Sequence, residues 1–386
     1  MATHENRAMF LWLTLSDALD IPKSLYQRAS DRHRALAKWF QRPGSLLVDY
    51  APSVRPQGSF RYGTVVRPID TEAEYDLDHV VILERLSPAT VTQADLKRIH
   101  GVEVAAYASA HEMLPPTEHN RCWRVRYRDE VAFHLDSLPC VPAGADHWEG
   151  LRRAGVVEEF ATRAIAITDR RHQHFADRHA DWPTSNPRGF ARWFETRAAL
   201  GRDKQMLERI RAGSVEDVPP YEWKTPLQRG IQILKRHRDV MFLHNPEIAP
   251  ISMIITNLAA LAYQGETDIT DALRGILDRM PNYVRKGVPR VPNPTHPSED
   301  YADKWRGDSR LERSFWEWHL QAKVDIERLS SALTRITSRD IEAKFRIPLT
   351  QEQEARLAIG APSLVTAPVA VTQISNPPRP WGSGSV

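Results

Sequence analysis

The stretch Tyr75-Asp76-Leu77-Asp78-His79-Val80-Val81-Ile82-Leu83 sets the tightest limit on what this chain can fold into. Side chains of an extended segment alternate between faces, so Asp76 and Asp78 project together while Leu77 and the apolar run 80–83 supply core contacts. Two acids on one face repel unless a cation lies between them. Hard oxygen ligands with room left for substrate phosphates point to Mg²⁺, with Mn²⁺ as a substitute. Upstream the chain reads Gln57-Gly58-Ser59-Phe60, with sixteen residues between Ser59 and Asp76. Gly58 lets a backbone approach phosphates closely, and Ser59 offers a hydroxyl and an N–H.

A two-metal phosphoryl-transfer site needs a third carboxylate from another strand, and Val131-Ala132-Phe133-His134-Leu135-Asp136-Ser137-Leu138-Pro139 supplies Asp136. Val131, Phe133 and Leu135 share one face of this segment, and Ala132, His134 and Asp136 share the other. The preceding run Cys122-Trp123-Arg124-Val125-Arg126-Tyr127 is expected to pair with it as a hairpin through a turn at Arg128-Asp129-Glu130. In such a site two ions lie about 3.5–4 Å apart, one on the donor triphosphate and one on the acceptor hydroxyl. Asp76 and Asp78 are expected to hold both ions, with Asp136 on the acceptor side, so that catalysis is mostly positioning and charge neutralisation. Asp76→Asn or Asp136→Asn is expected to abolish product with little loss of stability, because removing one of several clustered like charges relieves repulsion. A lone Gly-Ser is an ordinary turn and a lone Asp-x-Asp an ordinary surface strand. Their conjunction with a third strand-borne acid is what carries the catalytic reading.

The string Gln-Gly-Ser-Phe-Arg-Tyr-Gly-Thr-Val-Val-Arg-Pro at 57–68, with the long connection before the acids, resembles the nucleotidyltransferase superfamily and specifically the bacterial CD-NTases. These are the cyclic-oligonucleotide synthases of CBASS anti-phage defence, relatives of cyclic GMP-AMP synthase and oligoadenylate synthase. The segment 226–239 looks like the family helix whose lysine, here Lys235, reaches the donor triphosphate. The segment 250–256 resembles the start of the next helix, whose serine, here Ser252, lies near the phosphates. Gln57, Gly58 and Ser59 complete the nucleotide-binding set that the resemblance implies. The loop Asn293-Pro294-Thr295-His296-Pro297-Ser298-Glu299-Asp300-Tyr301-Ala302-Asp303-Lys304-Trp305 is similar to one in the bacterial members, without a chemical role attached. The likeness spans roughly residues 45–335. It implies an α+β fold: a polymerase-beta-like mixed-sheet core, a C-terminal helical lobe, and an active site in the cleft between them.

The resemblance also implies that NTPs (ATP, GTP or both, with pyrimidine NTPs left open) are joined into a cyclic di- or trinucleotide with release of pyrophosphate. Two rivals stay open: a transferase adding nucleotides to an RNA 3′ end or a protein, and a silent module that senses nucleotides or RNA. Base choice, 2′–5′ against 3′–5′ linkage, and any activator, including a nucleic acid, have no readable determinant.

The charge balance, 52 Lys and Arg against 49 Asp and Glu, is too even for a protein that coats a polyanion. No run approaches about 18 apolar residues, and the start lacks the order of a signal peptide, so the expectation is a cytosolic protein with no membrane partner. Two cysteines, Cys122 and Cys140, are too few for a disulfide framework. The expected division is 1–185 for the catalytic core with two bracing N-terminal helices, 186–345 for the helical domain, and 346–386 for a C-terminal segment and tail. From Thr366 on, Pro, Ser, Gly and Thr dominate, a composition that buries little surface. In the family some members are joined through their C-terminal residue to other molecules by accessory enzymes, and this tail is compatible with such a CBASS accessory partner. Between the core and the lobe, Arg170-Arg171-His172-Gln173-His174-Phe175-Ala176-Asp177-Arg178-His179 is dense enough to bind phosphate or metal, although a solvated connector is the expectation.

Overall fold

The computed structural model describes residues 4–70, 75–127, 133–201, 224–331 and 337–357. The expected hairpin turn at 128–130, the strand positions Val131 and Ala132, and the tail from Thr366 lie outside these residues.

Two helices come first, α1 (His4–Leu19) and α2 (Lys23–Gln41), followed by strand β1 (Pro52–Gln57), the short helix α3 (Gly58–Tyr62) and strand β2 (Tyr75–Leu83). Helix α4 (Gln93–Ala110) opens where the Thr92 side chain accepts from the Asp95 N–H, an N-cap that satisfies an otherwise unpaired donor. Then come β3 (Thr117–Glu118), β4 (Trp123–Arg126), β5 (Phe133–Pro142), α5 (Ala145–Arg153), α6 (Glu158–Ala161), β6 (Ile165–Ile167) and β7 (Thr184–Ser185). The rest is mainly helical: α7 (Pro187–Ala198), α8 (Pro226–Met241), α9 (Ser252–Ala262), α10 (Ile269–Arg279), α11 (Ser309–Ser331), α12 (Ser338–Phe345) and α13 (Gln351–Leu357). A small hairpin of β8 (Pro292–Asn293) and β9 (His296–Asp300) interrupts it.

One mixed sheet runs in the order β1-β2-β5-β4-β3, and β6 with β7 extends it from β5. Strands β2 and β5 pair in parallel, and their neighbours pair antiparallel. The alternation expected of the acid-bearing strands holds, since Leu77, Phe133 and Leu135 are buried while Asp76 and Asp136 emerge on the other face. Helices α2 and α4 cover the apolar face, with Leu36, Phe40, Leu96 and Val104 against Val81, Phe133 and Leu135.

A second core fills the helical lobe, where Leu227, Ile231 and Leu234 of α8 meet Leu258, Leu273, Ile276, Phe315 and Trp318. The N-terminal helices divide between the two cores. Helix α2 braces the sheet as expected, but α1 sends Leu11, Trp12, Leu15 and Leu19 into the lobe. The Trp12 indole N–H donates to Ser330 Oγ at 3.1 Å and its ring meets Phe345 edge-on. The apolar residues of α1 therefore find their partners in the lobe, Trp12 and Ser330 being 318 positions apart in the chain. Ile347 and Leu357, expected as part of a C-terminal appendage, are buried in the same lobe core. No described helix is long and apolar enough to cross a membrane.

Candidate active site

Gln57 ends β1 directly opposite Asp78 of β2, and the chain then turns into α3 through Gly58. Gly58 has φ +68°, and a Cβ there would stand 2.4 Å from Asp78 Oδ2. The turn and the acid therefore touch, and only glycine permits both the left-handed backbone and the close approach. Helix α3 spans both cores: Phe60 packs under the sheet, while Tyr62 faces Phe190 and Phe194 in the lobe. Ser59 is thus fixed at the seam of the cleft.

The parallel register of β2 and β5 sets Asp78 beside Asp136 and Asp76 beside His134. One donor atom each from Asp76, His134 and Asp136 lies within 4.8 Å of the others. Asp76 also pairs with His134 Nε2 at 3.0 Å. Burial, with the charges of Asp76 and Asp136 added, pushes the Asp78 carboxyl up to about 8. A carboxyl raised by burial and by two neighbouring carboxylates suits a divalent cation. Asp76, Asp78 and Asp136 are the residues that would hold it.

Two residues that the sequence did not single out sit among these acids. Arg124, across the β4/β5 ladder from Asp136, donates from Nε and Nη2 to its two carboxylate oxygens, both at 2.7 Å. This planar fork orients Asp136 and balances its charge. His134 supplies a ring nitrogen to the acidic group.

A cavity of about 490 Å³ opens in front of the strands, lined by Gly58, Ser59, Thr64, Asp76, Asp78, Lys235, Arg238 and Ser252 among others. Its volume suits a nucleotide. Lys235 comes from α8, whose start is fixed by Pro226 and by a capping box between Thr225 and Gln228. The ammonium donates to Thr64 O at 3.2 Å and Thr64 Oγ1 at 3.1 Å. Burial, and secondarily the neighbouring Arg238, lowers it to about 7. Ser252 begins α9, and its hydroxyl accepts from Arg238 Nη2 at 2.9 Å. The cavity thus gathers Gly58, Ser59, Asp76, Asp78, Lys235 and Ser252; Asp136 joins through the acidic group, and Gln57 stands behind Asp78 in the sheet.

Residues 52–140 match the family model for the nucleotidyltransferase domain of DncV-like cyclic GMP-AMP synthases, a span that holds the turn and all three acids. The chain is 29% identical over 310 residues to a c-di-GMP synthase of Roseivirga ehrenbergii, covering 78% of this chain and 74% of that protein. Over that span the chain is similar to the CD-NTases. The cyclic dinucleotide synthase CdnG of Bradyrhizobium diazoefficiens is 26% identical to this chain over 78% of its length and 71% of CdnG. The solved structure of that CdnG in complex with GTP superposes with a TM-score of 0.63 at 18% identity, over 92% of this chain and 97% of the other. The polymerase-beta-like core with a helical lobe is thereby established as the fold, and the protein is a nucleotidyltransferase.

Proposed function

We propose that this protein is a CD-NTase, an Mg²⁺-dependent synthase that joins two NTPs into a cyclic dinucleotide in the cytosol, within CBASS anti-phage signalling. The observation that carries the reading is the side-by-side register of Asp78 and Asp136, with Asp76 one strand position pair away and the Gly58 turn in contact with Asp78. The similarity to a c-di-GMP synthase and to CdnG favours a dinucleotide over a trinucleotide, and GTP as a substrate.

The donor triphosphate enters the cavity lined by Ser59, Lys235 and Ser252, with Gln57 steadying Asp78 from the neighbouring strand. Asp76, Asp78 and Asp136 would hold metal ions that, when bound, would neutralise charge on the triphosphate and lower the pKa of the acceptor hydroxyl. The hydroxyl oxygen bonds the α-phosphorus, the bond to the bridging oxygen breaks, and pyrophosphate leaves with that electron pair while the hydroxyl proton passes to solvent. A second transfer within the linear product closes the ring. Arg124 keeps the Asp136 carboxylate facing the acceptor side. Lys235 gains the triphosphate as a partner in exchange for Thr64. We place the domain boundary near residue 186, where α7 begins, and assign the tail beyond Leu357 to an accessory partner.

Incubation with four labelled NTPs and Mg²⁺, then phosphatase and mass spectrometry, tests this. A cyclised product lacks terminal phosphates and survives. A labelled RNA or protein with no small product would establish the macromolecular transferase instead, and nucleotide binding without any turnover would establish the sensing module.

A further inference from the structure

The connection from β6 to β7 concentrates His172, His174, Asp177, His179 and Asp181 within ten residues, away from the catalytic acids. Its base is firmly held. Asp169 accepts from Arg121 Nε at 2.8 Å and from Arg171, Phe175 O accepts from the Ala94 N–H at 3.0 Å, and His172 Nδ1 contacts Gln93 Nε2 at 3.1 Å. Beyond that base the rings of His174 and His179 stack with centroids 4.0 Å apart and planes 13° apart. One nitrogen of each ring and one carboxylate oxygen of Asp181 all lie within 4.8 Å of one another.

We infer that His174, His179 and Asp181 form a second metal site, built for a borderline divalent cation such as Zn²⁺ and separate from the acidic site that serves nucleotides. Two imidazoles and a carboxylate are a zinc-type donor set, whereas Mg²⁺ takes oxygen almost alone. Zinc bonds near 2.0–2.1 Å place tetrahedral donors about 3.3 Å apart, so the donors close in by side-chain rotation. His179 and Asp181 are exposed and have room to do so. Asp177 Oδ2 stands 3.8 Å from His174 Nδ1, where a carboxylate orients a ligating ring and leaves Nε2 for the metal. His179 Nδ1 accepts the Asp181 N–H at 3.0 Å, and the metal takes over that lone pair or releases the bond so that Nε2 can ligate. His172, already engaged with Gln93, stays outside the set.

The site stands where it can stiffen the catalytic hairpin. Arg170 N–H donates to Asn120 O at 3.0 Å and Thr168 Oγ1 to Arg121 O at 3.2 Å, so this connection buttresses the β3/β4 hairpin that carries Arg124. The inference does not depend on which product the enzyme makes.

Zinc titration of the full-length chain against a chromophoric chelator tests it, in an Asp76→Asn background with saturating Mg²⁺ so that the acidic site does not report. One Zn²⁺ per chain is expected, with Asp177→Asn weakening it about tenfold. His174→Ala/His179→Ala should abolish it and His172→Ala leave it intact. Zinc should also slow amide exchange across 170–181. Equal binding by the parent and the His174→Ala/His179→Ala variant, loss of binding in His172→Ala alone, or no binding at micromolar zinc would each overturn the site.

Discussion

Gly58 and Asp78 act as one unit, because the absent side chain of one is the space filled by the other. Gly58→Ala adds a Cβ 2.4 Å from Asp78 Oδ2 at a backbone φ of +68°. A left-handed non-glycine residue costs about 1–3 kcal/mol, and displacing a reacting group by an ångström costs about a hundredfold in rate. Urea melts and turnover of the Gly58→Ala protein should show both losses. The acids themselves separate into two kinds. Asp76 is about half exposed (54%), so Asp76→Asn should abolish product with the melting curve unchanged. Asp136 differs from the simple expectation of relieved repulsion, because its fork with Arg124 turns Asp136→Asn into a loss of about 1.5–3 kcal/mol as well as of product. Parallel melts of the two variants check the contrast. Asp136 was legible from alternation in its strand, whereas Arg124 was not. A turn centred on Asp129 would have set Cys122 across from Asp136; the ladder sets Arg124 there, a two-residue shift that keeps the face and changes the chemistry.

Helix α8 shows how an element of one lobe controls a loop of the other. Gln228, Gln232 and Lys235 recur at helical spacing on one face, and they donate to Tyr62 O at 2.9 Å, Val65 O at 2.6 Å and Thr64 O at 3.2 Å. The backbone after α3 thus hangs on three side chains of the lobe. The helix and its lysine were readable in the sequence. Their acceptors were not, since backbone carbonyls at 62–65 leave no trace in residue type. Lys235 also gives this grip a pH dependence. In the substrate-free protein its pKa is lowered to about 7, and a bound triphosphate favours the charged form and raises it. Above pH 7 binding must therefore take up a proton, so NTP affinity should fall as pH rises, by at most about tenfold per unit. Calorimetry in buffers of different ionisation enthalpy should detect the uptake, and Lys235→Met should remove both it and the slope. An affinity flat from pH 6.5 to 8.5 in the parent would show that Lys235 does not meet the triphosphate.

Across the whole molecule, the lobe behind the cleft is assembled from both ends of the described chain. Local patterning showed α1 to be amphipathic but carried no information about which core it joins, because a helix stripe fits a sheet face or a helix bundle equally well. Trp12 and Leu15 settle in the lobe beside Phe345, Ile347 and Leu357, and Arg356 lies over the Phe10 ring at 3.9 Å. These contacts make residues 346–357 part of the frame that holds α8, and through α8 the Thr64 loop. A chain ending after Leu357 keeps every buried contact described here and should retain parental turnover and melting temperature. A chain ending after Arg346 loses the buried side chains of Ile347 and Leu357, about 1.5–3 kcal/mol for each. It should melt earlier and bind NTP more weakly, since α1 loses its cover and α8 its support. Paired thermal melts and NTP titrations on the two truncations make the comparison. Equal melting temperatures would show that the segment does not support the lobe, and loss of turnover in the chain ending after Leu357 would assign residues 358–386 a part in catalysis itself.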